Sequence, residues 1–555
     1  MDNEKRIRTI MKLKDVKVDV LVIGGGITGS GIALDAQVRG LSTGLIEMQD
    51  FAAGTSSRST KLIHGGLRYL KQLEFKLVSE VGKERAIVYE NAPHVTTPIW
   101  MMLPIYKGGT FGKWSTSLGL SLYDILAKVK KTERRIMLSP TQAKSKEPLL
   151  KTKGLKGAGN YVEYRTDDAR LTIEIIKTAV DKGALAVNYV KANTLLYEQG
   201  KVSGVEAVDG LTGDTFHIKA KKVVNATGPW VDFIREKDQS KEGKHLFLTK
   251  GVHIVFDKSK FPLQQAVYFD TPFKDGRMIF AIPRGDKTYV GTTDTVFHED
   301  PVHPQMTEED LTYLLEATNA MFPSLTLKAE DIESSWSGLR PLIHEEGKKP
   351  SDISRKDELF LSHSGLITIA GGKLTGYRKM AEKVVDVIVK QLKKETGVTY
   401  PPCSTAKVTL SGGEVGGTAQ FPAFIEKQID IGIKIGLSAT VARNLVDCYG
   451  SNISYIYDNI IHKKELNRQS KLPLHLFGSL LYGLEHEMVI TPSDFFIRRT
   501  GALYFKPEFV WKWKERVLQF ITEYLQLSEE KRISFSKQIE TELYDSIKPI
   551  KDVNK

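Results

Sequence analysis

The chain has 555 residues, 41% of them hydrophobic and 26% charged, and a net charge of +12. That length allows two or three domains and a large core, and the composition is that of an ordinary globular protein. Its two cysteines, Cys403 and Cys448, can build neither a disulfide framework nor a zinc site alone, which fits a reducing compartment; no metal site is read.

The opening MDNEKRIRTIMKLKD is basic but lacks a continuous apolar run, unlike a secretory signal. The longest apolar-looking stretch, Val20 to Leu34, is broken by glycines and too short to cross a bilayer. A soluble or surface-bound protein is expected. The positive charge suits nucleic acid, anionic lipid or an anionic substrate. No nucleic-acid motif is present and the lysines are scattered, so solvated lysine is the plain reading and nucleic acid is not expected.

Asp19 leads into the apolar run Val20–Ile23. Gly24, Gly26 and Gly29 follow in G-x-G-x-x-G spacing, then an amphipathic segment ending near Arg39-Gly40, then Leu45 and Ile46, closed by Glu47. Strand, glycine turn, helix, strand and acid is the order that a dinucleotide needs. The glycines give a tight turn, bare backbone for a pyrophosphate and close helix–strand packing. The helix start near Gly26 offers N–H groups and a positive dipole end to phosphate. Glu47 can accept bonds from ribose hydroxyls, and an acid there disfavours the 2′-phosphate of NADP; FAD and NAD both remain.

The loop after Glu47 is rich in small and hydroxyl residues, Ala52 to Thr60, and continues as Lys61-Leu62-Ile63-His64-Gly65-Gly66-Leu67-Arg68-Tyr69-Leu70. Small donors suit a flat polar ligand lying on backbone, and Lys61 and Arg68 could hold an anion. Residues 73–92 read as a helix ended by Pro93. Residues 99–150 show no site, and Trp114 and Tyr123 read as core. Asp167 and Asp168 open a helix to about Asp181, in a capping role. Strands are expected at Ala186–Val190, Val202–Val208 and Phe216–Ala220, with a hairpin turn at Asp209-Gly210 or Gly213-Asp214.

A second short strand, Lys222 onward, ends in Ala226-Thr227-Gly228, small residues that can lie under a nucleotide. Residues 246–300 are β-rich and suggest a separate sheet lying over the cofactor. Residues 307–321 read as a helix and Trp336–Arg340 as a strand. In Leu366–Arg378 a strand runs to Ala370, Gly371-Gly372 turns, and a helix continues to about Lys394. Its N-terminus, with Lys373 at the opening, is a second place of positive potential. From Tyr400-Pro401-Pro402 onward the chain reads as a separate, mainly helical domain. Its Phe509–Lys514 segment suits either a membrane surface or packing on its own domain.

The stretches VIGGGITGSGIALDAQVRGL, TSSRSTKLIHGGLRYL, DDARL, VVNATGPWV, KGVHIV, VGTTDT, SGLRPL and GGKLTGYRKMAE, taken together, resemble FAD-dependent, quinone-linked glycerol-3-phosphate dehydrogenases of bacterial type. The resemblance implies an α/β fold. An FAD-binding Rossmann-like domain (about 18–95, 155–235 and 355–395) would carry a β-rich cap of the glycine oxidase and D-amino-acid oxidase kind (about 96–154 and 236–354). Residues 401–555 would form the C-terminal helical domain. It implies FAD contacts at Gly24, Gly26, Thr28, Gly29, Glu47, Thr55, Ser56, Ser57, Lys61, Leu62, His64, Val190, Ala226, Gly228, Gly371, Gly372, Lys373, Leu374 and Thr375. Substrate contacts fall on Arg68, Tyr69, Arg340 and Lys373. His253 is the candidate base, with Arg340 and Lys373 as its catalytic companions; no role is carried onto Arg284. Expected partners are glycerol 3-phosphate, a membrane quinone and the anionic cytoplasmic face of the cell membrane; a homodimer is compatible with it. Two rival readings are a flavin oxidase that makes peroxide and a non-catalytic, nucleotide-binding sensor docked on a membrane; an NAD enzyme fits the Ala-Thr-Gly strand and the Gly-Gly-Lys turn less well.

Overall fold

Val20, Leu21 and Val22 are wholly buried, so the strand Val18–Ile23 is apolar on both faces, as the middle of a parallel sheet requires. The computed structural model describes residues 3–63, 75–109, 112–126, 129, 133–345, 347 and 356–551. Val18–Ile23 pairs in parallel with Thr43–Ile46 and Thr215–Asn225, Val22 lying opposite Leu45 and Val224. The sheet continues through Leu185–Val187 on one side and Ile367–Ala370 on the other, with Glu358–Leu361 as an antiparallel edge. Helix Ile27–Val38 covers one face, wedged between helices Asp168–Asp181 and Tyr377–Thr396. On the other face Ile10 and Leu13 of helix Asn3–Asp15 pack with Leu21, Ile23 and Val205.

The two strands expected at Phe216–Ala220 and from Lys222 are one, Thr215–Asn225. Its first half pairs antiparallel with Lys201–Asp209, its second half in parallel with Val18–Ile23. The polar pair Lys221-Lys222 looks like a break in sequence, yet the two side chains point to opposite faces of the strand, where Lys221 pairs with Asp19 and Lys222 with Glu395. Val190–Glu198, not anticipated in full, completes that antiparallel layer.

The second sheet is larger and mostly antiparallel. Its order is Thr295–Val296, Lys244–Asp257, Lys287–Gly291, Met278–Arg284, Ala266–Asp270, Thr96–Tyr106, Leu155–Thr166, Leu62–Ile63; Ile332–Glu345 pairs along the length of Lys244–Asp257. Leu155–Thr166, assigned from sequence to the dinucleotide-binding part, lies in this sheet, because its inward residues pair with Thr96–Tyr106.

The C-terminal helices form the expected helical domain, in which Ile425, Leu445, Ile453, Ile456 and Tyr482 share a core of their own, and the later helices also close on the second sheet. Phe477, Leu480, Phe495, Phe505 and Phe520 belong to the same buried cluster as Met101, Tyr161, Tyr289 and Trp336 of the second sheet. Helix Pro507–Leu525 buries Val510, Val517 and Ile521, so the Phe509–Lys514 segment packs on the protein, with Trp511 partly exposed. A buried ion network adds to this junction: Asp50 accepts from Arg498 at 2.6 Å and Arg499 at 2.8 Å, and Arg170 pairs with Glu487. Such a network penalises loss of any one member, since the remaining charge stays buried. No helix among the described residues is long and apolar enough to cross a membrane.

Candidate active site

At the carboxyl edge of the parallel sheet lies a cavity of about 640 Å³. Gly24, Gly26, Thr28, Glu47, Thr55, Ser56, Val190, Ala226, Gly228, Gly371, Gly372, Lys373 and Leu374, all anticipated from sequence, line it. Binding at this edge follows from parallel topology: helices start there and loops diverge.

Two glycines show why no side chain is tolerated. Gly24 has φ +114°, and a Cβ there would meet the Ala226 carbonyl oxygen at 2.5 Å. A Cβ on Gly29 would sit 1.9 Å from the Gly24 carbonyl oxygen, so this glycine sets how near the helix comes to the strand rather than lining the cavity. Helix Ile27–Val38 has no side-chain cap of its own. Ser56, from the following loop, caps it instead by accepting from the Ile27 N–H at 2.9 Å. Glu47 accepts from the Gly25 N–H at 2.7 Å and the Gln49 N–H at 2.8 Å. Burial pushes its pKa up, against those two bonds. A carboxylate has about four acceptor positions, so ribose hydroxyls can still be received.

The loop after Glu47 departs from expectation at Lys61. This side chain is buried, donating to Asp168 at 2.6 Å and to the Ser57 carbonyl at 2.9 Å. It therefore acts beneath the loop and not as an anion holder on the wall. Asp168 does more than open its helix, since it also accepts from the Ser59 N–H and hydroxyl; Asp167 is the cap, accepting from Arg170 N–H. Ser57 is buried off the cavity wall. His64, Arg68 and Tyr69 lie outside the described residues.

A second cavity, about 300 Å³, adjoins the first beneath the second sheet. The two share Thr55, Ser59, Pro341, Gly372, Lys373 and Leu374 as walls. Leu62 and Thr375 line this one, together with His253, Arg340 and Lys373. The three predicted catalytic groups thus meet in one place. Strand pairing is the cause: Lys244–Asp257 and Ile332–Glu345 run antiparallel with His253 opposite Trp336 and Thr249 opposite Arg340. Lys373 arrives from the turn after Ile367–Ala370, at the head of a short 3-10 turn, Leu374–Gly376.

His253 is buried, its Nε2 3.0 Å from the Thr60 hydroxyl. Burial, then the charges of Arg340 and Lys61, lower its pKa well below the ordinary histidine range, so the ring is neutral. Its Nδ1 is buried with no hydrogen-bond partner among the described residues. Trp336 and Tyr289 donate to the Ser59 and Thr60 carbonyls at 3.0 and 3.1 Å, pinning the same short segment. Gly291, opposite His253 on the neighbouring strand, makes room for the ring. Arg340 donates to Asp294 at 3.1 Å and to the Thr292 hydroxyl at 3.1 Å. Sequence reading gave no individual role to Thr60, Arg277, Thr292 or Asp294, although Thr60 fell in the donor-rich loop and Thr292 and Asp294 in the VGTTDT stretch.

The long space, the bare glycine backbone, the helix N-terminus and Glu47 fit a flavin dinucleotide that reaches from one cavity into the other past Lys373. The FAD dependent oxidoreductase family pattern matches residues 19–378, and that of the C-terminal domain of alpha-glycerophosphate oxidase matches 403–532. An aerobic glycerol-3-phosphate dehydrogenase of Bacillus subtilis is 57% identical over 98% of this chain and 98% of its own length. The structure of a glycerol-3-phosphate dehydrogenase from Bacillus halodurans complexed with FAD superposes with a TM-score of 0.87 at 52% identity, covering 100% of both chains. An L-alpha-glycerophosphate oxidase of Mycoplasma pneumoniae, at 15% identity and a TM-score of 0.56 over 71% of this chain and 98% of its own, shares the fold. By this full-length similarity the chain belongs to the aerobic glycerol-3-phosphate dehydrogenase family of FAD-dependent oxidoreductases.

Proposed function

We propose that the protein oxidises sn-glycerol 3-phosphate to dihydroxyacetone phosphate and that its electrons leave to a membrane quinone. The observation that carries the reading is the meeting of His253, Arg340 and Lys373 in the smaller cavity, with Lys373 also on the wall of the larger one. FAD, when bound, supplies the hydride acceptor. Arg340 offers a planar fork of donors to a phosphate or to the C2 oxygen. His253, neutral in the free protein, can take the C2 hydroxyl proton. The arrangement couples the two roles. The positive charge of Arg340 depresses His253 basicity; a phosphate dianion beside Arg340 offsets that field and raises it when substrate is present.

A lipid-soluble acceptor is supported by the second sheet. Tyr268, Met278 and Phe280 line the smaller cavity and pack against the cluster that holds Leu120 and Tyr123 of helix Lys113–Leu126. The outer side of that helix exposes Leu118 and Ile125, each 73% accessible, as a surface for the membrane's cytoplasmic face. Membrane quinone, an anionic membrane face and self-association as a dimer are the partners this reading adds. A visible spectrum recorded without oxygen tests it. Glycerol 3-phosphate should bleach the flavin band, and a soluble quinone should restore it with little peroxide formed. No bleaching rejects the oxidation; peroxide matching substrate consumed in air, with quinone inert, favours an oxidase.

A further inference from the structure

Among the described residues, the smaller cavity is lined by the cations Arg58, Arg277, Arg340 and Lys373 and by the carboxylates Glu163 and Asp294. Glu163 is engaged with Arg85 at 3.2 Å. Asp294 touches two of the cations at once: its carboxylate receives Arg340 Nη1 at 3.1 Å, and its backbone carbonyl receives Arg277 Nη2 at 2.8 Å. The carboxylate nearest Arg277, Asp275, lies 4.0 Å from its Nε and accepts at 2.7 Å from both Thr271 and Tyr313. The Arg277 side chain is 40% exposed, so its charge faces open space with little compensation. Positive charge therefore exceeds negative on this wall, and the excess lies where one residue gathers two guanidinium groups.

Resting on the proposed oxidation of a phosphorylated alcohol, we propose that Arg277 and Arg340 form a two-arginine clamp for the substrate's phosphate, with Asp294 as the counter-anion that holds the clamp until the phosphate arrives. A phosphate monoester dianion presents three oxygens, enough for two planar forks, and two guanidiniums match its two charges. Asp294 then has two effects. It tethers Arg340 by its carboxylate and Arg277 by its backbone carbonyl in the free protein, and its carboxylate competes with the incoming anion for Arg340.

The test uses the flavin-loaded protein and its Arg277→Gln, Arg277→Lys and Asp294→Asn variants, with the flavin band as the check of folding. In Arg277→Gln the concentration of glycerol 3-phosphate that half-bleaches the flavin should rise about tenfold or more, with the rate at saturation far less altered. Arg277→Lys, which keeps the charge, should recover part of the loss and serves if the first variant loses flavin. Inorganic phosphate should compete with substrate in the parent protein and compete at lower concentration in Asp294→Asn. A half-bleaching concentration within about twofold of the parent in Arg277→Gln overturns the clamp, since a charge-assisted bond contributes more than that. Weaker phosphate competition in Asp294→Asn overturns the counter-anion role. If the parent is not bleached at all, the proposed oxidation fails. The clamp is then judged by whether inorganic phosphate perturbs the flavin spectrum in the parent and not in Arg277→Gln.

Discussion

His253 lies flat against Trp336, the ring centroids 4.7 Å apart and the planes 10° from parallel. The indole leaves no room for the imidazole to turn, and the same indole fixes the Ser59 carbonyl next to the residue that meets Nε2. The candidate base is thus held by neighbours on two adjoining strands and one loop.

That setting predicts the pH behaviour. Burial, Arg340 and Lys61 lower the His253 pKa below its ordinary 6.5, so the base stays neutral through the mildly acid range. Flavin reduction at low substrate, divided by the fraction of substrate present as the phosphate dianion (second pKa about 6), should hold its rate down through 6.5 and fall only at lower pH. A rate so corrected that halves near 6.5 rejects the assignment. The sign for stability follows: the folded state binds this proton less readily than the unfolded one, so stability is unaffected above 6.5 and declines as pH drops below it. His253→Asn should slow flavin reduction about a hundredfold or more and keep its flavin, read by stopped-flow absorbance.

Arg340 is tested by removal and by crowding. Arg340→Ala should raise the apparent KM for the phosphorylated substrate far more than it alters flavin content; an unchanged KM refutes its role. Gly251→Ala approaches the same group differently. Its Cβ would come within 2.5 Å of Arg340 Nη2 and 2.4 Å of the Thr292 hydroxyl. The guanidinium must then shift, and KM should rise with Arg340 intact.

Gly29→Ala concerns the cofactor alone. The new methyl would meet the Gly24 backbone carbonyl at 1.9 Å, with Val22 Cγ1 at 3.3 Å, and a backbone carbonyl has no flexible end to yield. The helix must move off the strand and the phosphate-facing turn with it. The purified variant should be nearly colourless; a full flavin band contradicts this.

Asp168→Asn tests the floor under the loop. Lys61 is 4% exposed and Asp168 wholly buried, so the change leaves an ammonium without its carboxylate. A loss of about 3–5 kcal/mol in denaturant unfolding is expected. A surface-like change below about 1 kcal/mol would mean that Lys61 finds water or another partner.

The dinucleotide half was legible because its signals are local. Gly24, Gly26 and Gly29, the flanking apolar strands and Glu47 all fall within one βαβ unit. The reading failed where a partner lies far along the chain. Lys61 looks in sequence like an anion holder; only Asp168, brought to it by the fold, makes it an internal ion pair. Thr60 meets His253 across 193 positions, a contact set by strand pairing and invisible to spacing. The C-terminal helices read correctly as a helical domain, but their junction with the second sheet was missed for the same reason. Their apolar faces are plain in the sequence, but not that those faces close over Tyr289 and Trp336.

The register between Lys244–Asp257 and Ile332–Glu345 has a further consequence. One ladder carries both the imidazole and the guanidinium, two rungs from Gly251 in each direction. Because side chains alternate, inserting or deleting a single residue between position 249 and 253 would swing one group to the opposite surface while leaving the other in place. A change of length should therefore be tolerated in the long connection between these two strands and not in this five-residue span, where distance along the chain decides whether the imidazole and the guanidinium face the same cavity.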